Sequence, residues 1–313
     1  MSYTITAICS KLATALNNKS RVDVVDFQKA FDSVNHDIIL DKLKNKFGIN
    51  GRLLKFLKEY LQGRVQQVSV NGSLSDPLPV LSGVPQGSIL GPLLFVLFID
   101  DINDCVSEGT ELAMYADDTK IFREIKCDVD QFILQEDINK LTEWSKINKM
   151  NFNPDKSKVL TVTNKSLNYV LPFYEYFYEL NGKVLDYVVN QKDLGVIVNR
   201  WLTWNSHCES LVANAYKQFG FLKRTCYFIT NSQQWKVLYL SVIRSIFEHC
   251  CQIWAPQDRK SLDAFTLLQK RAIKWILKEQ HKSYSDTVFL NKQKDLDVLP
   301  MESKFVYSDL VLF

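Results

Sequence analysis

Leu112-Ala113-Met114-Tyr115-Ala116-Asp117-Asp118-Thr119-Lys120-Ile121-Phe122 is apolar at both ends and polar at its centre. Such a stretch folds most simply as two strands joined by a tight turn, with Asp117 and Asp118 at the tip. Two adjacent carboxylates repel each other within a few Å unless a cation lies between them. Mg²⁺ relieves that repulsion, because it prefers oxygen ligands and is held by one or two carboxylates together with substrate phosphates. An isolated Asp-Asp pair is more often an ordinary turn, so its meaning depends on what surrounds it.

Upstream, Val22-Asp23-Val24-Val25-Asp26-Phe27 is short, β-branched and strand-like, and it brings Asp26 to a strand end. Asp26, Asp117 and Asp118 would then converge from two neighbouring strand ends. Such a trio suffices to hold two ions roughly 3.5–4 Å apart, the arrangement that activates an attacking oxygen and stabilises a leaving one in phosphoryl transfer. Farther out, residues 3–16, Ile38–Phe47 and Leu53–Leu61 carry helical spacing, and Val65–Val70 alternates with period 2 into an Asn71-Gly72 turn. A Gly- and Pro-rich loop over 82–92 leads into the apolar run Leu90–Ile99, whose length suits a buried helix. Val129–Asn148 is an amphipathic helix, Phe177–Val198 reads as short strands around Asn181-Gly182, and nearly everything beyond residue 205 is helical in pattern. Strands mixed with helices, followed by helices alone, predict an α+β unit and then an α unit.

Composition limits the possibilities further. The 313 residues are 46% hydrophobic and 23% charged, ordinary for a globular chain with room for more than one packed unit. No run approaches the ~18 apolar residues of a membrane span, and the opening MSYTITAICSKLATAL lacks the basic start and apolar core of a secretory signal. Seven Cys without a C-x-x-C suit neither a disulfide framework nor a zinc site, so a reducing compartment is expected. The net charge of +3 is unevenly distributed: residues 201–313 hold 15 Lys/Arg against 10 Asp/Glu, so the remainder is slightly acidic. An acidic first part before a basic, aromatic-rich second part suits metal chemistry beside polyanion binding, although solvated helix faces would produce the same bias.

Three segments in order carry a resemblance: Asp26-Phe27-Gln28-Lys29-Ala30-Phe31-Asp32, then Ser82-Gly83-Val84-Pro85-Gln86-Gly87-Ser88, then Tyr115-Ala116-Asp117-Asp118. Together they resemble the reverse transcriptases of non-LTR (LINE-like, jockey-type) retrotransposons. The likeness continues through Phe152-Asn153-Pro154-Asp155-Lys156-Ser157-Lys158 and Asp193-Leu194-Gly195-Val196 into the C-terminal part. It implies a polymerase palm, an antiparallel sheet packed on helices, followed by a helical thumb-like region. The expected boundaries are 1–20 for a helical remnant of the fingers or palm approach and 21–165 for the palm. A primer-grip hairpin region would cover 166–200, and the thumb 201–313.

The resemblance also implies an RNA-directed DNA polymerase that moves deoxynucleotides from dNTP to the 3′-hydroxyl of a DNA primer paired to an RNA template. Asp26, Asp117 and Asp118 would hold two Mg²⁺ (or Mn²⁺) ions, with the carbonyl of Phe27 as a further ligand. Asp23 and Asp32 read as structural, Asp32 as a cap of the next helix. Phe31 corresponds to a steric gate that excludes a 2′-hydroxyl, or else to a core ring. Gln86 and Gly87 would meet the incoming nucleotide and template, Gly87 by permitting close backbone approach. Tyr115 would press on the primer end and keep its hydroxyl in line with the α-phosphate. Lys156 or Lys158 would lie near the leaving pyrophosphate. Leu194 and Gly195 resemble the turn that grips the primer backbone. Lys270, Lys274 and Lys278 recur at i, i+4 on a helix read over Leu262–Lys278, forming a basic stripe able to follow phosphates without reading sequence.

Complete enzymes of this kind carry a fingers region and an endonuclease domain, and most of the first and all of the second lie outside what this chain matches. Two readings therefore stand: a partial polymerase, and a catalytically silent nucleic-acid-binding remnant. An RNA-dependent RNA polymerase is disfavoured by Phe31 and the Pro-Gln-Gly loop. The family places the activity in the cytoplasm and/or nucleus, away from membranes. The sequence points to no stable protein partner.

Overall fold

The computed structural model describes residues 2–18, 20–28, 34–85, 87–115, 118–150, 152–164 and 177–310, with backbone alone at 2–5, 27, 28 and 309. Helix α1 (Ser2–Asn17) leads into strand β1 (Arg21–Gln28), and helices α2 (His36–Asn45) and α3 (Gly51–Leu61) follow. The cap of α2 is Asn35, whose side chain accepts from the backbone N–H groups of Asp37 and Ile38. Asp32, the residue expected to cap this helix, lies outside the described residues.

The period-2 stretch after α3 folds differently from its reading as one strand. It forms β2 (Val65–Gln66) and β3 (Ser69–Val70), which pair with β5 (Leu78–Pro79) and β4 (Ser73–Leu74) respectively. The ladder breaks because the Ser75 hydroxyl, 3.0 Å away, takes the Val68 N–H, and because Pro77 has no N–H to contribute.

Helix α4 (Leu90–Ile99), hairpin β6 (Thr110–Tyr115)–β7 (Asp118–Ile125), helix α5 (Asp128–Ile147) and strand β8 (Lys158–Val162) complete the framework. Two short strands, β9 (Glu179–Leu180) and β10 (Lys183–Val184), pair around Asn181-Gly182, and β11 (Asp186–Val188) follows. The main sheet has the order β11-β8-β1-β7-β6. All of its pairs are antiparallel except β11–β8. Strand alternation separates the two faces of this sheet. Val25, Ile121 and Val159 on one face are fully buried against Ile39 and Leu43 of α2, Phe95 and Phe98 of α4, and Leu134, Ile138 and Leu141 of α5. Each such side chain contributes about 1.5–3 kcal/mol by leaving water. The apolar run Leu90–Ile99 is thus the buried helix its length suggested. The other face carries Val24, Phe122 and Leu160 toward one end and charged residues toward the other.

The chain divides at Gln191/Lys192 into two compact units, one built on residues 10–191 and the other on residues 192–313 with residues 4–9. The second holds hairpin β12 (Asn190–Asp193)–β13 (Val196–Asn199) beyond Gln191, then α6 (Asn205–Thr225), α7 (Ser232–Leu238), α8 (Cys251–Trp254), α9 (Arg259–Ile276), α10 (Asp286–Asp295) and α11 (Met301–Leu310). Its core is aromatic: Phe247 meets Phe265 edge-on at 4.9 Å, and Trp254 meets Phe305 at 5.6 Å. The expected α+β architecture, sheet and helices first and helices afterwards, is what the fold shows.

One helix is shorter than its sequence suggests. The stretch read as helical to Lys278 ends at Ile276, with Leu277 as its C-cap and Lys278 in the left-handed region at φ +56°. Tyr284 and Phe289, beyond this stop, are buried with Ile273 in one cluster, and the chain must leave the helix to bring them there.

Candidate functional site

Asp26 and Asp118 reach one face of the sheet through the β1–β7 register. In that ladder Asp26 lies opposite Lys120 and Gln28 lies opposite Asp118, so both acids, two rungs apart, face the same way. Side chains so related start about 7–8 Å apart at Cβ, a span that two carboxylates can close onto shared cations. Tyr115 lies opposite Asp118 in the β6–β7 hairpin and is half-buried. Asp117 follows in the connection and lies outside the described residues, as do Phe31 and Gln86, while Phe27 is described only as backbone opposite Thr119.

Asp26 is 6% exposed, and both of its oxygens are engaged. Lys120 Nζ donates to Oδ1 at 3.0 Å and Gln191 Nε2 donates to Oδ2 at 2.8 Å. On the other side of β1, Lys158 lies opposite Asp26 in the β1–β8 ladder, and its Nζ is 2.6 Å from Asp186 Oδ2. That hydrogen bond first, and the Lys158 charge second, lower the pKa of the Asp186 carboxyl below its ordinary value. Of the two lysines read near the pyrophosphate, Lys158 shares a sheet face with Asp26, whereas Lys156 is exposed in the turn before β8.

The donor chemistry suits a hard divalent ion: carboxylate oxygens, those of Asp26 buried and Asp118 half-buried, on a face where an ammonium already sits against Asp26. Among the described residues, no group of three His, Cys, Asp or Glu side chains is placed to hold a metal ion. Asp118 and Asp26 supply two of the trio read from the sequence.

The loop before α4 is fixed by its own small residues. Ser88 Oγ donates to the Pro85 carbonyl at 2.6 Å and accepts the Gly91 N–H at 3.0 Å. A Cβ on Gly91 would come within 2.8 Å of the Pro85 carbonyl, so the helix can start here only with glycine. Gly87, exposed at φ +78°, leaves its backbone open.

Leu194 and Gly195 form the β12–β13 turn with φ of +45° and +90°. Its brace is a residue the sequence did not mark: His249 Nε2 lies 2.9 Å from the Leu194 carbonyl oxygen. The basic stripe is reduced to two lysines on α9, both drawn toward the residues that follow. Lys270 pairs with Asp286 at 3.9 Å and lies over Phe289, while Lys274 lies over Tyr284 at 5.0 Å. Lys278 falls outside the helix and does not extend the stripe.

Lys120 and Gln191 are further side chains on Asp26 that the sequence reading missed. Lys120 had a signal, standing two residues after Asp118 and hence on its face; Gln191 had none, since it lies 165 residues from Asp26.

Comparison with known proteins identifies the relatives of this chain. A family profile described as Reverse transcriptase (RNA-dependent DNA polymerase) matches residues 3–243. The probable RNA-directed DNA polymerase from transposon BS of Drosophila melanogaster is 30% identical over 269 residues, covering 80% of this chain and 28% of that protein. The RNA-directed DNA polymerase from mobile element jockey is 27% identical over 265 residues in D. melanogaster, again 80% of this chain and 28% of the relative. Its Drosophila funebris counterpart is 33% identical over 194 residues, 60% of this chain and 20% of the relative. The chain therefore spans less than a third of the length of these relatives. Apo telomerase from Candida tropicalis superposes with a TM-score of 0.45 and 10% identity, over 97% of this chain and 51% of that one. The chain belongs to the reverse transcriptase (RNA-dependent DNA polymerase) family, with the enzymes of non-LTR retrotransposons as its relatives.

Proposed function

We propose that this chain carries the polymerising centre of an RNA-directed DNA polymerase from a non-LTR retrotransposon. In this reading it extends a DNA primer on an RNA template with dNTP substrates. The observation that carries the proposal is Asp26 and Asp118 two rungs apart on one sheet face, with Tyr115 opposite Asp118. Reverse transcriptases use divalent metal ions, and here Asp26, Asp117 and Asp118, with the Phe27 carbonyl, would hold two Mg²⁺ or Mn²⁺. Bound there, the ions would supply Lewis-acid activation of the attacking hydroxyl and charge stabilisation of the leaving group.

The remaining roles belong to the chain itself. Tyr115 holds the primer end against the acidic pair, so that the 3′-hydroxyl approaches in line. Phe31 excludes a 2′-hydroxyl, and Gln86 with the open backbone of Gly87 receives nucleotide and template. Lys158, sharing the face of Asp26, or Lys156 in the preceding turn, neutralises the departing pyrophosphate. The Leu194–Gly195 turn lies along the primer backbone, and Lys270 and Lys274 meet duplex phosphates without reading bases. Residues 21–165 serve as palm, 166–200 as primer-grip region and 201–313 as thumb, after a helical approach over 1–20. No helix among the described residues is long and apolar enough to cross a membrane.

Primer extension on an RNA template with Mg²⁺, by the chain and by its Asp118→Asn variant, tests this reading. Extension by the parent chain and a loss of the order of 1,000-fold in the variant is the expected result. Duplex binding without extension by either protein would overturn it in favour of the silent remnant.

A further inference from the structure

A carboxylate as buried as Asp26 keeps its charge only beside a counter-charge. The ladder supplies one from directly across the strand: Lys120, itself 6% exposed, with Nζ 3.0 Å from Asp26 Oδ1. The same register puts Lys120 two residues from Asp118 and on its face, so the ammonium sits where a divalent ion shared by the two acids would have to enter. A lysine ammonium is a point charge on a flexible stem, which can withdraw without tearing a fixed fork of hydrogen bonds as an arginine would. Gln191 bonds the other oxygen, Oδ2, and carries no charge to oppose a cation.

We propose that Lys120 is a displaceable counter-ion for Asp26: its ammonium neutralises the buried carboxylate until a divalent cation arrives, and it must move off Oδ1 for that cation to bind. The inference rests on the reading of Asp26 and Asp118 as metal ligands and adds a positioning residue to that site. Lys120 therefore sets how tightly the site takes metal before any nucleotide or nucleic acid is present. It acts in two directions, holding the empty site together and competing with the ion that fills it.

Mn²⁺ binding, measured by titration calorimetry and by loss of the free-ion resonance signal with no substrate present, tests this. Lys120→Met keeps the length of the stem and removes the charge, so Mn²⁺ should bind about tenfold more tightly or better. The variant's melting temperature should be lower than the parent's without metal and should rise further with Mn²⁺. Lys120→Arg keeps the charge and protects against a Lys120→Met chain that fails to fold. Its bidentate fork holds the carboxylate more firmly, so Mn²⁺ should bind more weakly than to the parent. Equal Mn²⁺ affinity in the parent and the folded Lys120 variants, or weaker binding in Lys120→Met, overturns the counter-ion. Asp118→Asn separates the two levels. If it loses Mn²⁺ while the Lys120 variants match the parent, only the counter-ion fails; if it binds Mn²⁺ unchanged, the metal site fails and the counter-ion with it.

Discussion

Asp23 and Asp26 stand three residues apart on β1 and point to opposite faces of one sheet. Asp23 is completely buried and accepts four hydrogen bonds. Two come from Arg21, at 2.9 and 2.6 Å, one from Thr161 at 2.7 Å and one from the Tyr178 hydroxyl at 2.9 Å. Its lone pairs are spent, its charge is matched by a planar guanidinium, and its face is the one the helices cover. Asp26 accepts from an ammonium and a neutral amide, and shares its face with a second acid and a second lysine. Burial alone does not separate a structural acid from a working one. What separates them is whether the partners form a closed set or can be exchanged for a cation.

The sharpest break of that comparison pairs Asp118→Asn with Asp23→Asn. The first should abolish primer extension while shifting the urea unfolding free energy by no more than about 0.5 kcal/mol, as for a change outside the core. The second leaves the Arg21 guanidinium, buried with its partner, without a matching charge. It should cost about 3–5 kcal/mol of stability in the same urea titration. If Asp23→Asn unfolds like the parent but stops extension, the roles assigned to the two faces are reversed.

Much of this contrast could be read before the fold was known, and the remainder shows what strand alternation leaves open. The β-branched run into Asp26 and the apolar flanks of Asp117-Asp118 each fix a strand by local pattern. Their order with Pro85-Gln86-Gly87 carries the family. Asp23 and Asp26 must face opposite ways if both lie on one strand, which the sequence alone implies. The register between β1 and β7 has no such local signature: it is chosen by the whole buried face, Val25 against Ile121 included, and it alone puts Lys120 on Asp26. Gln191, from β12, and Tyr178, 155 residues from Asp23, arrive by pairings of still longer range. At Lys278 local pattern and tertiary packing disagreed. The residues after Ile276 suit a helix, but burial of Tyr284 and Phe289 against Ile273 takes the chain elsewhere. In the ribbon over 65–79 the Ser75 hydroxyl and Pro77 together undid a strand that alternation had drawn as continuous.

A buried ionisable group with no counter-charge bonded to it among the described residues extends the comparison to a third case. His207 is 2% exposed, its Nδ1 accepts the Ile197 N–H at 3.2 Å, and its Nε2 has no hydrogen-bond partner among the described residues. Trp254 lies edge-on at 5.1 Å. Burial first, then the charges of His249 and Lys192, lower its pKa from 6.5 to about 4. The unfolded chain therefore binds the proton more readily than the folded one between those values. Stability from this group is complete above about pH 6.5 and is lost as pH falls toward about 4, by roughly 3 kcal/mol across the window. Urea titrations at successive pH values should show that decline, and His207→Gln should remove this part of it. An unchanged slope in the variant would mean that the imidazole titrates alike in the folded and unfolded chain and that burial does not govern it.

The smallest effect tests whether the partners of Asp23 act as a closed set. Tyr178→Phe removes one of the four hydrogen bonds and little else, since the ring stays in its fully buried place. A hydrogen bond to a charged group is worth more than a neutral one, and the loss here should be about 1.5 kcal/mol. Burial first and the Asp23 charge second push the Tyr178 hydroxyl far above its ordinary value, so it remains a donor at every pH the protein survives. The cost of Tyr178→Phe should therefore be flat between about pH 6 and about pH 9, unlike the declining contribution of His207. Thr161→Val removes a second bond to the same carboxylate, and the double variant completes a cycle. A closed set predicts that the double variant costs more than the two single losses added, because Asp23 then keeps only Arg21. Simple additivity would make each bond independent, and Asp23 would differ from Asp26 only in the number of its partners.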